Sequence, residues 1–147
     1  MPKCKDVMTK DPTCCEPGDS VVKVAQIMKH EDVGAVPVVD SESSRKLVGI
    51  VTDRDLVVKV LAEGRSIDGA SARDAMTSDP TSCPEDDDVD RAVKLMAELQ
   101  VRRMPIIDAA GRLAGIISQA DVATRVNRDK QTGELVEAIS ESGTVRK

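Results

Sequence analysis

Two short patterns in the sequence place a hydroxyl three residues before a carboxylate. The first pairs Thr52 with Asp55, and the second pairs Ser118 with Asp121. Each follows a short apolar run that begins with Gly-Ile, which predicts a point where a strand ends and a helix begins. A helix N-terminus offers free backbone N–H groups that suit phosphate, and a carboxylate can accept hydrogen bonds from both hydroxyls of a ribose. Together these groups favour the binding of a ribonucleotide.

The same spacing is also that of a helix capping box. In a capping box the hydroxyl and the carboxylate satisfy backbone N–H groups at the start of the helix, and no ligand is involved. Capping and binding are compatible, because the same side chains can do both. The occurrence of two copies at matching positions favours a binding role in addition to capping.

The two patterns belong to an internal repeat. Residues 8–40 align with residues 76–108 at a shift of 68, and the alignment resumes from Leu47 onward at a shift of 66. The difference of two residues falls in the polar segment 41–45, where a hairpin loop can vary in length at little cost. The chain is therefore two copies of one unit, and this duplication organises the predicted fold.

Each copy predicts the same order of elements. A short turn leads into an Asp-Pro-Thr segment, which is expected to be extended because the residue before proline avoids the helical region. A helix follows, capped by Asp19 or Ser20 in the first copy and by Asp88 in the second. Pro37 and Pro105 each remove a strand donor, so each of their strands is expected at a sheet edge or a bulge. The predicted strands are 35–39, 47–51, 104–107 and 113–117, and the closing helices are 53–63 and 119–128.

The predicted fold is an α/β (α+β) arrangement of two β-α-β-β-α repeats. A repeat of about 60 residues is marginal alone, so we expect the two to pack sheet to sheet about a pseudo-twofold axis. The predicted boundaries are 2–64 for the first repeat, 65–72 for a linker and 73–128 for the second repeat. The tail, 129–147, has two alternatives: a short helix around 134–140, or a frayed end.

The repeat resembles tandem CBS domains, also called a Bateman module. The resemblance rests on Pro-Val-Val-Asp or Pro-Ile-Ile-Asp ahead of a Gly-x-x-[Thr/Ser]-x-x-Asp pattern, and it covers residues 2–128. The stretches 52–55 and 101–105 extend the likeness to stand-alone bacterial CBS pairs. The resemblance implies a regulatory and signal-transduction module that binds AMP, ADP, ATP, NAD or S-adenosylmethionine in the cleft between the repeats. It also implies a homodimer that acts on a regulated protein, which the sequence does not identify.

The resemblance further implies two crossed nucleotide sites, in which the aspartates hold ribose. The segment before each proline would line the adenine pocket with backbone and aliphatic groups, as suits a chain without Phe, Tyr or Trp. The first site would use Thr52, Asp55, Thr81, Val101, Arg102, Arg103 and Pro105. The second site would use Thr13, Gly34, Ala35, Pro37, Ser118 and Asp121.

The two sites are expected to differ in phosphate binding. Arg102 and Arg103 precede one proline, whereas Gly34 and Ala35 occupy the corresponding positions before the other. Because the guanidinium group forms fork-like contacts with phosphate, the site containing Asp55 should bind phosphate more strongly. The alternative is that these arginines form surface ion pairs of little energetic value.

Composition limits the other classes of function. A net charge of -5 argues against a general binder of nucleic acid or anionic membranes. The N-terminal residues do not have the pattern of a signal peptide, so we expect a cytoplasmic protein. One histidine and no metal motif or P-loop predict no enzyme, no metal site and no required cofactor. The alternative function is a ligand-free structural or redox-responsive module acting through Cys14, Cys15 or Cys83.

Overall fold

The computed structural model describes residues 2–129, with side chains as far as residue 124. The predicted short helix around 134–140 lies outside these residues. The elements, in chain order, are α1 (Cys4–Val7), β1 (Thr9–Lys10), α2 (Val21–Glu31), β2 (Ala35–Val39), β3 (Leu47–Thr52), α3 (Asp53–Asp55), a π-helical segment (Leu56–Leu61), α4 (Ala72–Ala75), β4 (Thr77–Ser78), β5 (Cys83–Pro84), α5 (Val89–Leu99), β6 (Arg103–Ile107), β7 (Leu113–Ser118) and α6 (Gln119–Asp129).

These elements form two compact units. Unit 1 comprises residues 2–11, 81–110 and the described residues from 114 onward, whereas unit 2 comprises residues 12–80 and 111–113. Each unit therefore takes its one-turn helix, α1 or α4, and the short strand after it from the start of the opposite repeat. Helices and strands occur together in both units, which confirms the predicted α+β class.

Each unit contains one small sheet. The sheet of unit 2 has the order β2-β3-β4, and both of its pairs are antiparallel. The sheet of unit 1 has the order β1-β7-β6-β5, in which β1 runs antiparallel to β7 and β5 runs parallel to β6. In both units the short strand contributed by the other repeat pairs with the strand that carries the hydroxyl–carboxylate pattern.

An apolar core lies within each unit. Burial of these side chains holds the sheet against its helices, and each fully buried Val, Leu, Ile or Met stabilises the fold by about 1.5–3 kcal/mol. The core of unit 1 includes Cys4, Val89, Met96, Met104, Ile106, Ile117 and Val122. The core of unit 2 includes Cys15, Val24, Val36, Val38, Val51, Val60 and Ala72.

The predicted helix start of the first repeat is confirmed. Ser20 is the N-cap of α2, and its hydroxyl accepts a hydrogen bond from the backbone N–H of Lys23. Asp88 is the N-cap of α5, but its side chain makes no capping hydrogen bond. None of the helices in the described part of the chain has the length and apolar character needed to cross a membrane.

The two prolines in the strands have different surroundings. Pro37 lies in β2 at the edge of its sheet, next to an irregularity at Val38/Val39, which confirms the prediction. The sheet-edge alternative was wrong for Pro105, because β6 lies between β7 and β5. The ladder between β5 and β6 begins at Ile106, so the missing N–H of Pro105 falls just before it.

Two local predictions were also wrong. Asp11 and Asp79, each before a proline, have φ values of 47° and 48° and are left-handed instead of extended. Aspartate tolerates this region, and the backbone N–H of each residue donates to its sheet, Asp11 to Ala114 and Asp79 to Val48. The predicted helix 53–63 is α-helical only over Asp53–Asp55, and the next residues form wider π-helical turns.

The π-helical turns are marked by hydrogen bonds that span five residues. The N–H of Ala62 donates to the carbonyl of Val57, and the N–H of Arg65 donates to the carbonyl of Val60. Gly64, with a φ of 71°, lies just beyond the helix, where the sequence predicted its end. A run of β-branched residues in this segment lowers its preference for a regular α-helix. The periodicity of the apolar residues does not distinguish a π-helical turn from an α-helical one, so the sequence did not predict the change.

Candidate functional site

Thr52 and Asp55 form a complete capping box in unit 2. Thr52 is the last residue of β3, and the backbone N–H of Asp55 donates to its hydroxyl at 3.1 Å. In return, the backbone N–H of Thr52 donates to the Asp55 carboxylate at 2.9 Å. The capping interpretation is therefore confirmed at this position. Capping also holds the hydroxyl and the carboxylate side by side at the start of a helix, as a ribose site would require.

Lys59 is a partner of Asp55 that the sequence analysis missed. Its ammonium lies 3.3 Å from the Asp55 carboxylate, whose side chain is only 15% exposed. The same ammonium donates to the backbone carbonyls of Ala75 and Met76, at 3.2 and 3.4 Å, where α4 ends. The spacing of four residues between Asp55 and Lys59 on a helix could have predicted this ion pair.

The second pattern has a different environment in unit 1. The backbone N–H of Asp121 donates to the hydroxyl of Ser118 at 3.0 Å, and Ser118 is only 6% exposed. The hydroxyl of Thr9, in β1, donates to the carboxylate of Asp121 at 3.3 Å. Asp55 thus has a cationic partner, whereas this bond to Asp121 comes from a neutral hydroxyl. The contact with Thr9 joins residues far apart in the sequence, so local spacing could not predict it.

The segment before each proline is joined to the start of the nearby helix. In unit 2 the backbone N–H of Asp53 donates to the carbonyl of Gly34 at 2.9 Å. In unit 1 the N–H of Gln119 donates to the carbonyl of Arg102 at 3.1 Å. Each unit therefore places the residues before its proline beside its hydroxyl–carboxylate pair. Ala35 also pairs directly with Thr52 across the β2–β3 ladder.

The other predicted site residues differ in exposure. In unit 1, Thr81, Val101 and Arg102 are exposed, Arg103 is half-buried at the start of β6, and Pro105 is buried. In unit 2, Thr13 is exposed, Gly34 is half-buried, and Ala35 and Pro37 are buried. The predicted sites join each hydroxyl–carboxylate pair to the pre-proline segment of the other unit: Asp55 belongs to unit 2, and Arg102 and Arg103 belong to unit 1. The hydrogen bonds described above instead join each pair to the pre-proline segment of its own unit.

Two of the cysteines proposed for a redox role have thiols that resist ionisation. Burial raises the pKa of Cys15 to about 12. Burial also raises the pKa of Cys14, although the guanidinium of Arg45, 3.6 Å from its sulfur, acts in the opposite direction. A thiol with a raised pKa is a weak nucleophile, so neither residue has the environment of a reactive cysteine. In the described residues, no cluster of three or more His, Cys, Asp or Glu side chains could hold a metal ion.

A family model described as CBS domain matches residues 4–62 and again residues 72–128. This chain belongs to the CBS-domain family. The two matches confirm the tandem repeat and the resemblance on which its interpretation was based. The CBS pair is 41% identical over 141 residues to the uncharacterised protein YlbB of Bacillus subtilis, covering 96% of this chain and 93% of that protein. It is 32% identical over 123 residues to hypoxic response protein 1 of Mycobacterium tuberculosis, covering 84% of each.

Solved CBS pairs have the same fold. The Arabidopsis thaliana protein CBSX2, in complex with AMP, gives a TM-score of 0.74 at 25% identity, over 88% of this chain and 99% of that one. The CBS domain pair of protein MJ0100, in complex with 5'-methylthioadenosine and S-adenosyl-L-methionine, gives a TM-score of 0.75 at 27% identity. That similarity covers 89% of this chain and 99% of the other. Both of these relatives therefore hold ligands that contain adenosine.

Proposed function

We propose that this CBS pair is a regulatory module that binds an adenine nucleotide and catalyses no reaction itself. The observation that carries the proposal is the hydroxyl–carboxylate pair, which recurs at a strand-to-helix junction in both units. The complexes of CBSX2 with AMP and of MJ0100 with S-adenosyl-L-methionine support an adenosine ligand. The ligand class comprises AMP, ADP and ATP, with NAD and S-adenosylmethionine as the further candidates.

The chemistry of each residue set matches part of such a ligand. The carboxylates of Asp55 and Asp121 accept hydrogen bonds from ribose hydroxyls, while the hydroxyls of Thr52 and Ser118 contact ribose or phosphate. The aliphatic groups and backbone before each proline hold adenine. The first site is proposed to comprise Thr52, Asp55, Thr81, Val101, Arg102, Arg103 and Pro105. The second is proposed to comprise Thr13, Gly34, Ala35, Pro37, Ser118 and Asp121.

The site that contains Arg102 and Arg103 is proposed to bind phosphate more strongly. Two guanidinium groups stand where the other repeat has Gly34 and Ala35, which carry no charge. Titration of ATP into Arg102→Ala and Arg103→Ala checks this assignment. We expect about a tenfold loss of affinity in at least one variant, because a charge-assisted hydrogen bond contributes about 1.5–3 kcal/mol. Unchanged affinity in both variants would refute the phosphate assignment.

A thermal-shift panel tests the proposed function directly. The ligands are AMP, ADP, ATP, NAD, S-adenosylmethionine and, as the base control, GMP. A ligand at about 100 times its Kd stabilises the folded state by about 2.7 kcal/mol, which is readily seen as a rise in Tm. We expect a rise with adenine ligands and none with GMP. If no adenine ligand raises the Tm, the proposal is wrong.

A matched variant separates binding from capping. Ser71 and Asp74 form the same type of capping box at the start of α4, where the backbone N–H of Ser71 donates to Asp74 at 2.9 Å. We expect Asp55→Asn or Asp121→Asn to weaken AMP binding about tenfold, through loss of charged hydrogen bonds to ribose. Asp74→Asn should leave AMP affinity unchanged. An equal loss of affinity in all three variants would show that the carboxylates act through stability alone.

We further propose a cytoplasmic homodimer that acts on a regulated protein. The π-helical segment of unit 2 exposes three apolar side chains, Val57, Val58 and Leu61, at 54%, 44% and 67%. Clustered exposed aliphatic groups favour a protein interface. Sedimentation equilibrium of the wild type and of Leu61→Glu tests the dimer, which should weaken in the variant.

A further inference from the structure

Lys59 joins a carboxylate of the proposed ligand site to a segment that the opposite repeat supplies. Its ammonium lies 3.3 Å from the Asp55 carboxylate and donates to the backbone carbonyls of Ala75 and Met76, at 3.2 and 3.4 Å. An ammonium has three N–H donors, so these three acceptors match its full capacity. Lys59 lies in the π-helical segment, and such wide turns are frequent at functional sites.

The two carboxylate oxygens of Asp55 have different partners. Oδ2 accepts the capping hydrogen bond from the backbone N–H of Thr52 at 2.9 Å, whereas Oδ1 faces the ammonium of Lys59. The capping bond therefore keeps the carboxylate in place without help from Lys59. A ribose whose hydroxyls donate to this carboxylate would compete with the ion pair at Oδ1 and leave the cap intact.

The end of α4 depends on the same ammonium. The last carbonyls of a helix have no partner within the helix, and a cationic side chain can satisfy them. If Lys59 lost its carboxylate partner, only two neutral carbonyls would hold its charge. Its side chain is 39% exposed, so water can replace both contacts, and release restores rotamer freedom to a long side chain. Loss of the bond to Asp55 therefore favours loss of the bonds to α4.

The segment after α4 stays attached to the sheet by other contacts. Thr77 and Ser78 pair with Ile50 and Gly49 of β3. The sulfur of Met76 packs so closely on Gly49 that an added Cβ there would lie 2.6 Å from it. Release of Lys59 would therefore loosen the backbone where α4 meets β4 without detaching β4.

Unit 1 makes the equivalent connection with different chemistry. The hydroxyl of Thr9, in β1, donates to the carboxylate of Asp121 at 3.3 Å. In sequence, β1 comes from the start of the first repeat, yet it belongs to the unit built from the second. Each unit thus ties its carboxylate to the short segment from the opposite repeat, through an ammonium in one unit and a hydroxyl in the other.

We propose that Lys59 couples ligand occupancy at Asp55 to the mobility of the α4–β4 segment, residues 72–78. This inference rests on the proposed function: an adenosine ligand takes the Asp55 carboxylate, and Lys59 then releases the carbonyls of Ala75 and Met76. Lys59 acts here as a positioning residue. Because coupling is reciprocal, the hold of Lys59 on α4 also lowers the affinity for the ligand.

Hydrogen–deuterium exchange of the full chain, with and without AMP, tests the coupling. The peptide to follow spans residues 72–80, where the N–H of Met76 donates to Ala72 and that of Asp79 donates to Val48. AMP should speed the exchange of these amides about threefold, as suits the loss of one partly exposed ion pair. Unchanged or slower exchange, while AMP still raises the Tm, would overturn this inference alone. If no adenine ligand raises the Tm, the proposed function fails and this inference fails with it.

Two matched variants separate coupling from stability. Lys59→Met should exchange faster at residues 72–80 without AMP, show no further response to AMP, and bind AMP about threefold more tightly because the carboxylate has lost its competitor. Arg65 also holds α4, through a contact of 3.2 Å with Asp74. Arg65→Met should therefore speed the basal exchange of α4 but keep the AMP response and the wild-type AMP affinity. Weaker AMP binding in Lys59→Met, or loss of the AMP response in both variants, would overturn the coupling role of Lys59.

Discussion

Unit 1 and unit 2 hold corresponding cysteines, Cys83 and Cys15, in the same backbone arrangement. In unit 1 the N–H of Cys4 donates to the carbonyl of Asp87 at 2.8 Å. In unit 2 the equivalent bond runs from the N–H of Ala72 to the carbonyl of Asp19, at 2.7 Å. Yet the pKa of Cys83 is lowered by its contact with Cys4, whereas burial raises the pKa of Cys15 to about 12. The two units therefore share the backbone hydrogen bonds at this position and differ in one side chain, which is Cys4 in unit 1 and Ala72 in unit 2.

The carboxylates of the candidate sites differ in a similar way. Asp55 and Asp121 both follow a hydroxyl by three residues, and the backbone N–H of each donates a hydrogen bond to that hydroxyl. Lys59 places a positive charge beside Asp55, whereas the hydroxyl of Thr9 donates to Asp121. At the proposed sites, a ligand would therefore compete with an ion pair at Asp55 and with a neutral hydrogen bond at Asp121.

The largest expected difference between the units lies at two equivalent glycines, Gly115 and Gly49. A Cβ at Gly115 would lie 2.7 Å from the backbone oxygen of Thr9, whereas a Cβ at Gly49 would lie 3.1 Å from that of Thr77. We expect Gly115→Ala to lower the free energy of unfolding by about 3 kcal/mol and Gly49→Ala by about 1 kcal/mol. Urea unfolding measures both values.

Gly69→Ala is the control for this comparison. A Cβ there would meet no atom within 4 Å, so its effect on the free energy of unfolding should be close to zero. Equal losses of unfolding free energy for Gly115→Ala and Gly49→Ala would show that β1 and β4 move aside equally. The expected difference in stability between the two glycine positions would then be absent.

The pH dependence of stability sharpens the comparison of the cysteines. Because the pKa of Cys15 is raised to about 12 by burial, the folded chain keeps this proton where the unfolded chain, with a thiol pKa of about 8.5, releases it. Its stabilising contribution is therefore complete below about pH 8.5 and is lost as the pH rises toward 12. Between about pH 9 and about pH 10.5, the wild type should lose about 2 kcal/mol more than Cys15→Ala does.

Urea unfolding over this pH range checks the prediction. Val38→Ala, which shortens the buried residue bridged to Cys15 but keeps every thiol, is the matched control and should retain the wild-type slope. If Cys15→Ala loses stability with pH as steeply as the wild type, the proton is not held on Cys15.

The smallest expected effect concerns the caps of the two long helices. The hydroxyl of Ser20 accepts a hydrogen bond from the N–H of Lys23 at 3.1 Å, whereas the side chain of Asp88 makes no such bond. We expect Ser20→Ala to cost about 1 kcal/mol of unfolding free energy. Asp88→Ala should cost only about 0.3 kcal/mol, through the helix dipole. Chemical denaturation of the two variants measures these costs, and the reverse order would contradict the assigned caps.

Much of the fold could be predicted because its signals are local. The strand Ala35–Val39 has the predicted bounds, and Leu47–Thr52 differs from its prediction by one residue. Continuous apolar runs between polar turns carry that information. The left-handed Asp11 and the π-helical segment Leu56–Leu61 were missed. Both depend on hydrogen bonds that residue preferences do not determine, such as the bond from the N–H of Asp11 to the carbonyl of Ala114.

The candidate site was predictable to the same extent. Thr52 and Asp55 were identified because a spacing of three residues places both groups on one helical turn. The ion pair between Asp55 and Lys59 could also have been predicted, because residues four positions apart lie side by side on a helix. The bond from Thr9 to Asp121 was not, because it follows from the pairing of β1 with β7.

The sequence by itself determined the duplication, the CBS family, the order of elements in each repeat and the hydroxyl–carboxylate pair at each junction. These features depend on residues that lie a few positions apart within each repeat, where the geometry of the backbone allows few alternative structures. Only the tertiary structure decided that α1 and β1 join the unit built from the second repeat, and that Cys4 and Cys83 belong to one core cluster. Such contacts depend on which strand edges pair and in what register, and this is settled by the packing of the whole unit.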